Sequence, residues 1–428
     1  MDLERIVKVA DHIARRTHEA SAFFAGYKDL KIPTPLVRDD VLSENYNCNV
    51  YLKREDQTLV RSYKLRGALF FVNGLSDDEK SRGLVCASAG NHAQGIALSC
   101  NLLGTKGHIF MPIVTPSQKV ERVKYFGNSK VQVHLEGDTF DDVAQLAIRF
   151  AQDKKMVYAP PFDNPEVVAG QGTVTKEIVD ILGNKLDYVI NPIGGGGLIS
   201  GTVCYLRSLG KDLNAKVLGV EHEGALTMKT AIKNGKPTPL DSIDRFVDGT
   251  AVKLAGELTY SLLNLYGLDE KDIISLNRGE ICQVAVKLHD RGIHAELAGA
   301  MSVAALDKIR EDIKGKNVAC IISGGNIGAD RWNEVVEESL IHQGKRKYVV
   351  LTLPDRPKAF QEFLTHLHGK GNLVRHYHEG VKDDEGRSMT TAVFDLDSSE
   401  VFDRLKAELP SSFTLEDISK NRFRKLLA

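Results

Sequence analysis

Short apolar runs alternate with segments of helical periodicity from about residue 50 onward, and this alternation constrains the fold more than any other feature of the chain. The runs that predict strands in this region are VYLKRE, GLVCAS, GHIFMP, KVQVHL, LDYVINPI, AKVLGVEH and NVACIIS. Strands that are joined through helices pair in parallel, because the crossover connection has to return along the sheet. The pattern therefore predicts an α/β fold that is doubly wound around a mainly parallel sheet.

The character of the sequence changes near residue 342, where the polar and basic stretch HQGKRK predicts a linker. Beyond it, YVVLTL, NLVRHYHEG, MTTAVFDL and SFTLED are typical of strands, whereas DRPKAFQEFLTHL and SSEVFDRLKAEL are typical of helices. The order βαββαβ over roughly 80 residues predicts a small two-layer α+β domain. We therefore expect a large unit over residues 1–341 and an appended domain over residues 346–428.

The charge balance excludes some classes of partner. The 428 residues include 56 Lys and Arg against 57 Asp and Glu, for a net charge of −1. Nucleic-acid binding and polybasic membrane attachment both need a basic excess, so we expect neither partner. The N-terminal segment MDLERIVKVADHIARR predicts an amphipathic helix rather than a targeting peptide, and no apolar run approaches a membrane span. The six scattered cysteines predict buried free thiols, and the expected location is cytoplasmic.

Three glycine-bearing turns each follow a predicted strand: ASAGNHAQG at 87–95, PIGGGGLIS at 192–200 and SGGNIG at 323–328. Ligands bind beyond the carboxyl ends of parallel strands, so we expect the three turns to converge on one crevice. In the glycine run of the second turn, several backbone N–H groups can point at one anion, and the dipole of the following helix adds to their effect. This run predicts a phosphate site, although a tight turn that only tolerates glycine would look the same.

Lys64 lies in the segment RSYKLRGA at 61–68. A lysine near a fixed phosphate can have a lowered pKa when it is partly desolvated, which suits covalent chemistry with carbonyl groups. Most lysines are solvated, however, so the residue type alone does not separate a functional amine from a surface charge.

The ordered motifs SYKLRGA, SAGNHAQG, GGGGL and SGGN together resemble the fold-type II pyridoxal-phosphate enzymes, and most closely the threonine dehydratases among them. The resemblance runs from PTPL at 33–36 through the third glycine turn, and the C-terminal module resembles the ACT-like regulatory domain of the biosynthetic form. It implies two doubly wound α/β subdomains, the smaller at about 48–153, followed by the α+β ACT-like domain. It also implies pyridoxal 5′-phosphate as the cofactor and a homo-oligomer, specifically a tetramer.

The resemblance implies a role for each motif. Lys64 would hold the cofactor aldehyde covalently and, once released, remove the Cα proton of the substrate as a general base. Asn91 would bind the ring hydroxyl of the cofactor, and Ser323 would face its pyridine nitrogen. The residues implied in holding the phosphate are Gly194, Gly195, Gly196, Gly197 and Leu198. The residues implied in holding the substrate carboxylate are Ser88, Ala89, Gly90, Asn91 and His92.

The implied activity is the conversion of L-threonine, with L-serine as a second candidate substrate, to a 2-oxo acid and ammonia. This is the first step of isoleucine biosynthesis, and L-isoleucine is the implied feedback effector. Ala89 stands where serine racemases carry a hydroxyl, which disfavours racemisation. Lys358 in DRPKAF stands where regulatory domains usually have glycine, so the effector response stays open.

Two alternatives remain at this stage. A catabolic serine/threonine dehydratase would share the chemistry, although such forms typically lack this C-terminal module. A catalytically silent amino-acid sensor on the same scaffold would share the fold, although the presence of Lys64 with all three glycine turns argues against it. We predict no metal site, but Glu221 matches a position that ligates a cation in some relatives, and its role stays open.

Overall fold

The computed structural model describes residues 2–210 and 213–421, and within these it describes all side chains except those of 140, 141 and 378–380. The chain divides into two compact units, Met1–Gly328 and Ala329–Ala428. The helices described in the first unit are α1 (Leu3–Phe24), α2 (Asp40–Tyr46), α3 (Lys64–Asn73), α4 (Asp77–Arg82), α5 (Asn91–Leu103), α6 (Ser117–Gly127), α7 (Phe140–Asp153), α8 (Pro165–Leu182), α9 (Gly197–Ser208), α10 (Thr227–Asn234), α11 (Glu257–Tyr266), α12 (Arg278–His289) and α13 (Leu297–Ala304). Its strands are β1 (Leu36–Arg38), β2 (Asn49–Arg54), β3 (Leu84–Ala87), β4 (Gly107–Met111), β5 (Val131–Leu135), β6 (Val157–Tyr158), β7 (Tyr188–Pro192), β8 (Lys216–His222), β9 (Ile273–Leu276) and β10 (Asn317–Ile322).

The first unit contains two sheets. The larger has the strand order β1-β2-β10-β7-β8-β9, and all of its pairs are parallel except β1 with β2. The smaller has the order β5-β4-β3-β6 and is entirely parallel. Every residue of β3 is buried, as expected for a strand covered by helices on both faces. The predicted α/β architecture with mainly parallel sheets is confirmed.

The strand β2 belongs to the larger sheet, because Asn49 to Arg54 pair in parallel with Asn317 to Ile322 of β10. The smaller sheet instead spans Leu84 to Tyr158, whereas the predicted smaller subdomain was 48–153. The difference has a physical cause: strand pairing between distant segments leaves no trace in local periodicity. The short strands β1, β6 and β9 also went unpredicted.

A cluster of buried charges lies where α3 packs on β2 and α8. The Arg66 guanidinium donates to Glu55 through Nε at 2.8 Å and to Glu177 through Nη2 at 2.9 Å. Lys53 donates through Nζ to Glu177 at 2.5 Å and to the carbonyl of Thr34 at 2.7 Å. Because two cations face two carboxylates, the cluster is compensated in charge, which a buried ionic group requires.

The second unit is an antiparallel sheet with the strand order β12-β13-β11-β14. Its elements are α14 (Ala329–His342), β11 (Arg346–Leu353), α15 (Ala359–Leu367), β12 (Gly371–Lys382), β13 (Ser388–Leu396), α16 (Glu400–Glu408) and β14 (Thr414–Asp417). After α14 the order is the predicted βαββαβ. The Tyr348 hydroxyl of β11 donates to the Glu337 carboxylate of α14, which ties that helix to this unit. The division therefore lies before α14, whereas the sequence prediction placed it after residue 341.

All six cysteines are buried and free, as predicted. None of the helices in the described residues combines the length and the apolar character needed to cross a membrane.

Candidate active site

The turn that carries Lys64 lies directly beside the third glycine turn. The Tyr63 N–H donates to the Ser323 carbonyl at 3.1 Å, and the Gly325 N–H donates to the Arg61 carbonyl at 3.0 Å. These bonds attach the segment just before α3 to the carboxyl end of β10, at the edge of the larger sheet where the second glycine turn follows β7. The sheet edge therefore brings two of the predicted motifs together with the lysine.

Lys64 is partly buried, and its Nζ donates to the carbonyl oxygen of Pro161 at 3.0 Å. Burial lowers the pKa of its amine to about 8, and the negative charge of Glu296 opposes this shift. At pH 7 roughly a tenth of such an amine is uncharged, far more than for a solvated lysine. A neutral amine is the form that attacks a carbonyl group, so Lys64 has the protonation behaviour expected of a covalent anchor.

The second glycine turn forms a concave run of backbone N–H groups. Those of Gly194–Leu198 have no hydrogen-bond acceptor within the described part of the chain. Gly196 has a φ of +91°, which glycine adopts without strain. A Cβ on Gly195 would lie 2.2 Å from the Phe162 ring, and the Gly195 carbonyl accepts from the Thr259 hydroxyl at 2.7 Å. Glycine is therefore required by the close packing here, and the free N–H groups at the start of α9 can bind an anion.

One short segment connects this turn to the lysine. Pro161 accepts the hydrogen bond from Lys64, and the next residue, Phe162, packs against Gly195 and Gly197. The amine and the anion-binding turn thus lie on neighbouring surfaces of the same segment. This arrangement suits a ligand that carries a carbonyl group near one end and a phosphate at the other.

The first glycine turn presents the start of α5. The Gly90 N–H donates to the Ser88 hydroxyl at 3.2 Å, while the N–H groups of Asn91 and His92 find no acceptor among the described residues. His92 contacts the carbonyl of Ala159 through Nε2 at 3.1 Å, and burial together with the charge of Lys64 lowers its pKa to about 3. His92 is therefore neutral, and a carboxylate bound here would be held by backbone N–H groups and the helix dipole.

Asn91 takes part in a hydrogen-bond network whose other members were not predicted from the sequence. Its Nδ2 donates to Glu296 Oε1 at 2.8 Å, and its Oδ1 accepts from Asn326 Nδ2 at 2.7 Å. Burial and the nearby charge of Asp248 raise the pKa of Glu296 to about 7, against the effect of N–H donors. One sequence signal was available: Glu296 is an acidic residue within the otherwise apolar segment HAELAGA.

Ser323 and Glu221 are both buried. Ser323 ends β10 with a neutral hydroxyl side chain, and its carbonyl accepts the Tyr63 N–H. Both Glu221 oxygens accept backbone N–H groups, from Met228 at 2.7 Å and from Lys229 at 2.9 Å. Burial raises the pKa of Glu221 to about 7. No cation site was predicted, and the role of Glu221 stays open.

The described residues fit four groups of pyridoxal phosphate. The N–H groups of Gly194–Leu198 can donate hydrogen bonds to its phosphate, Lys64 offers an amine of lowered pKa for its aldehyde, and Ser323 offers an uncharged partner for its ring nitrogen. Asn91 retains one Nδ2 hydrogen beyond the one donated to Glu296, and this hydrogen can serve the ring hydroxyl. These roles remain predictions for the individual residues.

The comparisons with known proteins agree on one family. Residues 27–324 match the family model described as "Pyridoxal-phosphate dependent enzyme". The L-threonine dehydratase biosynthetic IlvA of Halalkalibacterium halodurans is 42% identical over 396 residues, which cover 92% of this chain and 94% of that protein. The protein of the same name from Bacillus subtilis is 44% identical over 351 residues, 82% of each chain.

A solved structure agrees with the sequence relatives. The processed form of threonine deaminase isoform 2 from Solanum lycopersicum has a TM-score of 0.70 and 32% identity, covering 79% of this chain and 94% of that chain. The cofactor and the resemblance predicted from the motifs are thereby confirmed. The chain belongs to the family of pyridoxal-phosphate dependent enzymes.

Proposed function

We propose that this protein is a threonine dehydratase, which converts L-threonine to 2-oxobutanoate and ammonia, with L-serine as a second candidate substrate. The observation that carries the proposal is the position of the Lys64 amine. It lies next to the Pro161–Phe162 segment that packs on the phosphate-binding turn, and its pKa is lowered to about 8. Relatives named L-threonine dehydratase match over most of both chains, which supports the same substrate here.

The chain supplies binding and proton transfer, and each group has a separate task. Bound pyridoxal phosphate supplies an electron-withdrawing ring that stabilises negative charge at the substrate Cα. The Lys64 amine takes the Cα proton, for which a neutral nitrogen is required. The hydroxyl on Cβ then leaves as water, and hydrolysis of the released enamine returns that water and frees ammonia. The net reaction converts threonine to 2-oxobutanoate and ammonia, and it needs neither an oxidant nor a reductant.

The substrate is oriented by the start of α5. Its carboxylate would accept the N–H groups of Asn91 and His92, whose neutral imidazole adds no competing charge. The uncharged hydroxyl of Ser323 would be a weak partner for the ring nitrogen of the cofactor, and such a partner would favour elimination over transamination. Ala89 has no side-chain proton to donate, so racemisation is disfavoured.

We further infer that L-isoleucine regulates the enzyme through the second unit, as in a biosynthetic dehydratase. The support is the βαββαβ order of that unit, which matches the predicted ACT-like domain. Lys358 has a φ of +70° at the N-cap of α15, a backbone conformation that favours glycine. A homotetramer in the cytoplasm completes the proposal.

The deciding experiment follows 2-oxobutanoate formation from L-threonine with and without L-isoleucine. Turnover that isoleucine suppresses supports both the activity and the regulation. If turnover does not change when isoleucine is added, the dehydratase activity is supported and the proposed regulation is contradicted. That result would favour the catabolic alternative. Absence of turnover in protein that binds pyridoxal phosphate rejects the threonine assignment, and the sensor alternative then predicts amino-acid binding without reaction.

A further inference from the structure

The orientation of the Asn91 side chain is determined at both ends of a hydrogen-bonded chain. At one end, Asn326 Nδ2 donates to the backbone carbonyl of Val60 at 2.8 Å and to Asn91 Oδ1 at 2.7 Å. At the other end, Asn91 Nδ2 donates to Glu296 Oε1 at 2.8 Å. The Val60 carbonyl and an ionised carboxylate can only accept hydrogen bonds. The amide of Asn91 therefore cannot rotate by half a turn without placing donor against donor and acceptor against acceptor.

Glu296 is itself held in place by the third glycine turn. Its Oε2 accepts the backbone N–H of Asn326 at 3.1 Å, and its side chain is buried. A Cβ on Gly324 would come within 2.7 Å of Glu296 Oε1, so the glycine leaves the space that the carboxylate occupies. The carboxylate thus uses one oxygen for the turn and the other for Asn91. Glu296 therefore connects the SGGN and SAGNHAQG motifs by hydrogen bonds, although it belongs to neither motif.

We propose that Glu296 is a positioning residue, which holds the Asn91 amide so that its second Nδ2 hydrogen faces the ring oxygen of the cofactor. The proposal rests on the proposed cofactor role of Asn91 and deepens it. With the amide reversed, its carbonyl would face that oxygen, and two acceptors would repel. The carboxylate at 296 accepts one N–H at each of its two oxygens, whereas a glutamine has one oxygen and one NH₂ group and an alanine has neither.

The same carboxylate couples electrostatically to the amine of Lys64. The negative charge of Glu296 raises the pKa of that amine, against the larger lowering by burial. The Asp248 carboxylate, which accepts from Lys119 Nζ at 2.8 Å, raises the pKa of Glu296, and the Lys119 cation lowers it. Burial has the largest effect on the pKa of Glu296 and raises it, and the groups that face this carboxylate are Asp248, Lys119, Asn91 and the N–H of Asn326.

A double-mutant cycle on cofactor affinity tests the proposal. The variants are Glu296→Gln, Asn91→Ala and the double variant, each prepared without cofactor and titrated with pyridoxal phosphate. Glutamine keeps the shape of glutamate but points an NH₂ group at one of the two donors. We expect each single variant to weaken cofactor binding about tenfold, the size of one lost hydrogen bond, and the double variant to be no weaker than Asn91→Ala.

Two further readouts separate positioning from general stability. The absorbance of the bound cofactor as a function of pH should change in the same way in Glu296→Gln and in Asn91→Ala, because both lose the donor to the ring oxygen. The thermal midpoint of the cofactor-free protein should stay close to that of the parent. Glu280→Gln is the matched control, since Glu280 also accepts a backbone N–H, from Asn277 at 2.8 Å, and has no contact with Asn91.

The outcomes are decisive. Losses that multiply in the double variant, or a Glu296→Gln protein with parental affinity and absorbance, would overturn the proposal. An unchanged Asn91→Ala protein would overturn the cofactor role of Asn91 on which it rests. All of these readouts are independent of turnover, so a failure of the threonine assignment would leave the cycle interpretable.

Discussion

The backbone N–H of Tyr63 donates a hydrogen bond to the carbonyl oxygen of Ser323 at 3.1 Å. The two residues are far apart in the chain, yet the bond places the residue before Lys64 against the end of β10. The start of α3 is thereby hydrogen-bonded to the larger sheet as well as to the following turn of the helix. This attachment fixes the start of the helix that carries Lys64 relative to the third glycine turn.

Replacing Lys64 by alanine should slow 2-oxobutanoate formation by a factor on the order of 10³ or more, because the proposed covalent anchor and general base would both be lost. Borohydride treatment followed by peptide mass analysis should label Lys64 in the parent and nothing in the variant. Lys229→Ala is the control, since Lys229 Nζ also donates to a backbone carbonyl, that of Ile273 at 3.0 Å. Retained activity in Lys64→Ala would contradict the assignment.

The rate at which cofactor-free protein captures pyridoxal phosphate should rise with pH and level off above the pKa of Lys64, which is lowered to about 8. Only the neutral amine attacks the aldehyde, so capture should be about 50-fold faster at pH 8 than at pH 6. Stopped-flow absorbance at a series of pH values measures this rate. A rate that keeps rising toward pH 10 would indicate an ordinary, solvated lysine.

Gly196→Ala should weaken cofactor binding at least about tenfold, because the methyl group disturbs the N–H groups of the second glycine turn, which we propose to bind the phosphate. The added Cβ would meet Met228 Cε at 2.7 Å and Thr259 Cβ at 2.9 Å. Gly235→Ala is the matched control, with a φ of +69° and no atom within 4 Å of the new Cβ. Both variants carry left-handed strain of about 1 kcal/mol, so only the loss of affinity should separate them in a cofactor titration.

Arg66→Met should lower the free energy of unfolding of the first unit by about 3–5 kcal/mol, because it leaves two buried carboxylates with one cation. Urea unfolding followed by circular dichroism measures the change. The control is Arg16→Met, whose partner Glu166 lies 2.6 Å away in a partly exposed pair. That pair should contribute about 1 kcal/mol or less, so equal effects of the two substitutions would contradict the argument.

Lys358→Gly should stabilise the second unit by about 1 kcal/mol, because the φ of +70° strains any side chain with a Cβ. The same substitution restores the glycine usual in regulatory domains, so we expect L-isoleucine to inhibit the variant at least as strongly as the parent. Full-length protein should be assayed for urea unfolding and for isoleucine response. Destabilisation by glycine would show that the Lys358 side chain makes contacts that outweigh the strain.

Local patterns in the sequence determined the elements and the motifs of this protein. Strand and helix periodicity predicted β3, β4, β7, β8 and β10 with their helices, and the whole βαββαβ order of the second unit, because side-chain alternation is visible within a few residues. The glycine turns were found for the same reason, since close packing and left-handed backbone demand glycine at those positions. The functional assignment of Lys64, Asn91 and Ser323 came from the ordered motifs and their family resemblance.

The tertiary structure alone decided the relationships between those elements. The pairing of β2 with β10 and the approach of Pro161 to Lys64 join segments that are distant in sequence, and the inclusion of α14 in the second unit depends on how that helix packs on β11. Glu296 and Asn326 were missed because their importance lies in contacts with Asn91 and not in their own neighbours along the chain. The lowered pKa of Lys64 follows from burial and from charges across space, and such quantities exist only after the chain has folded.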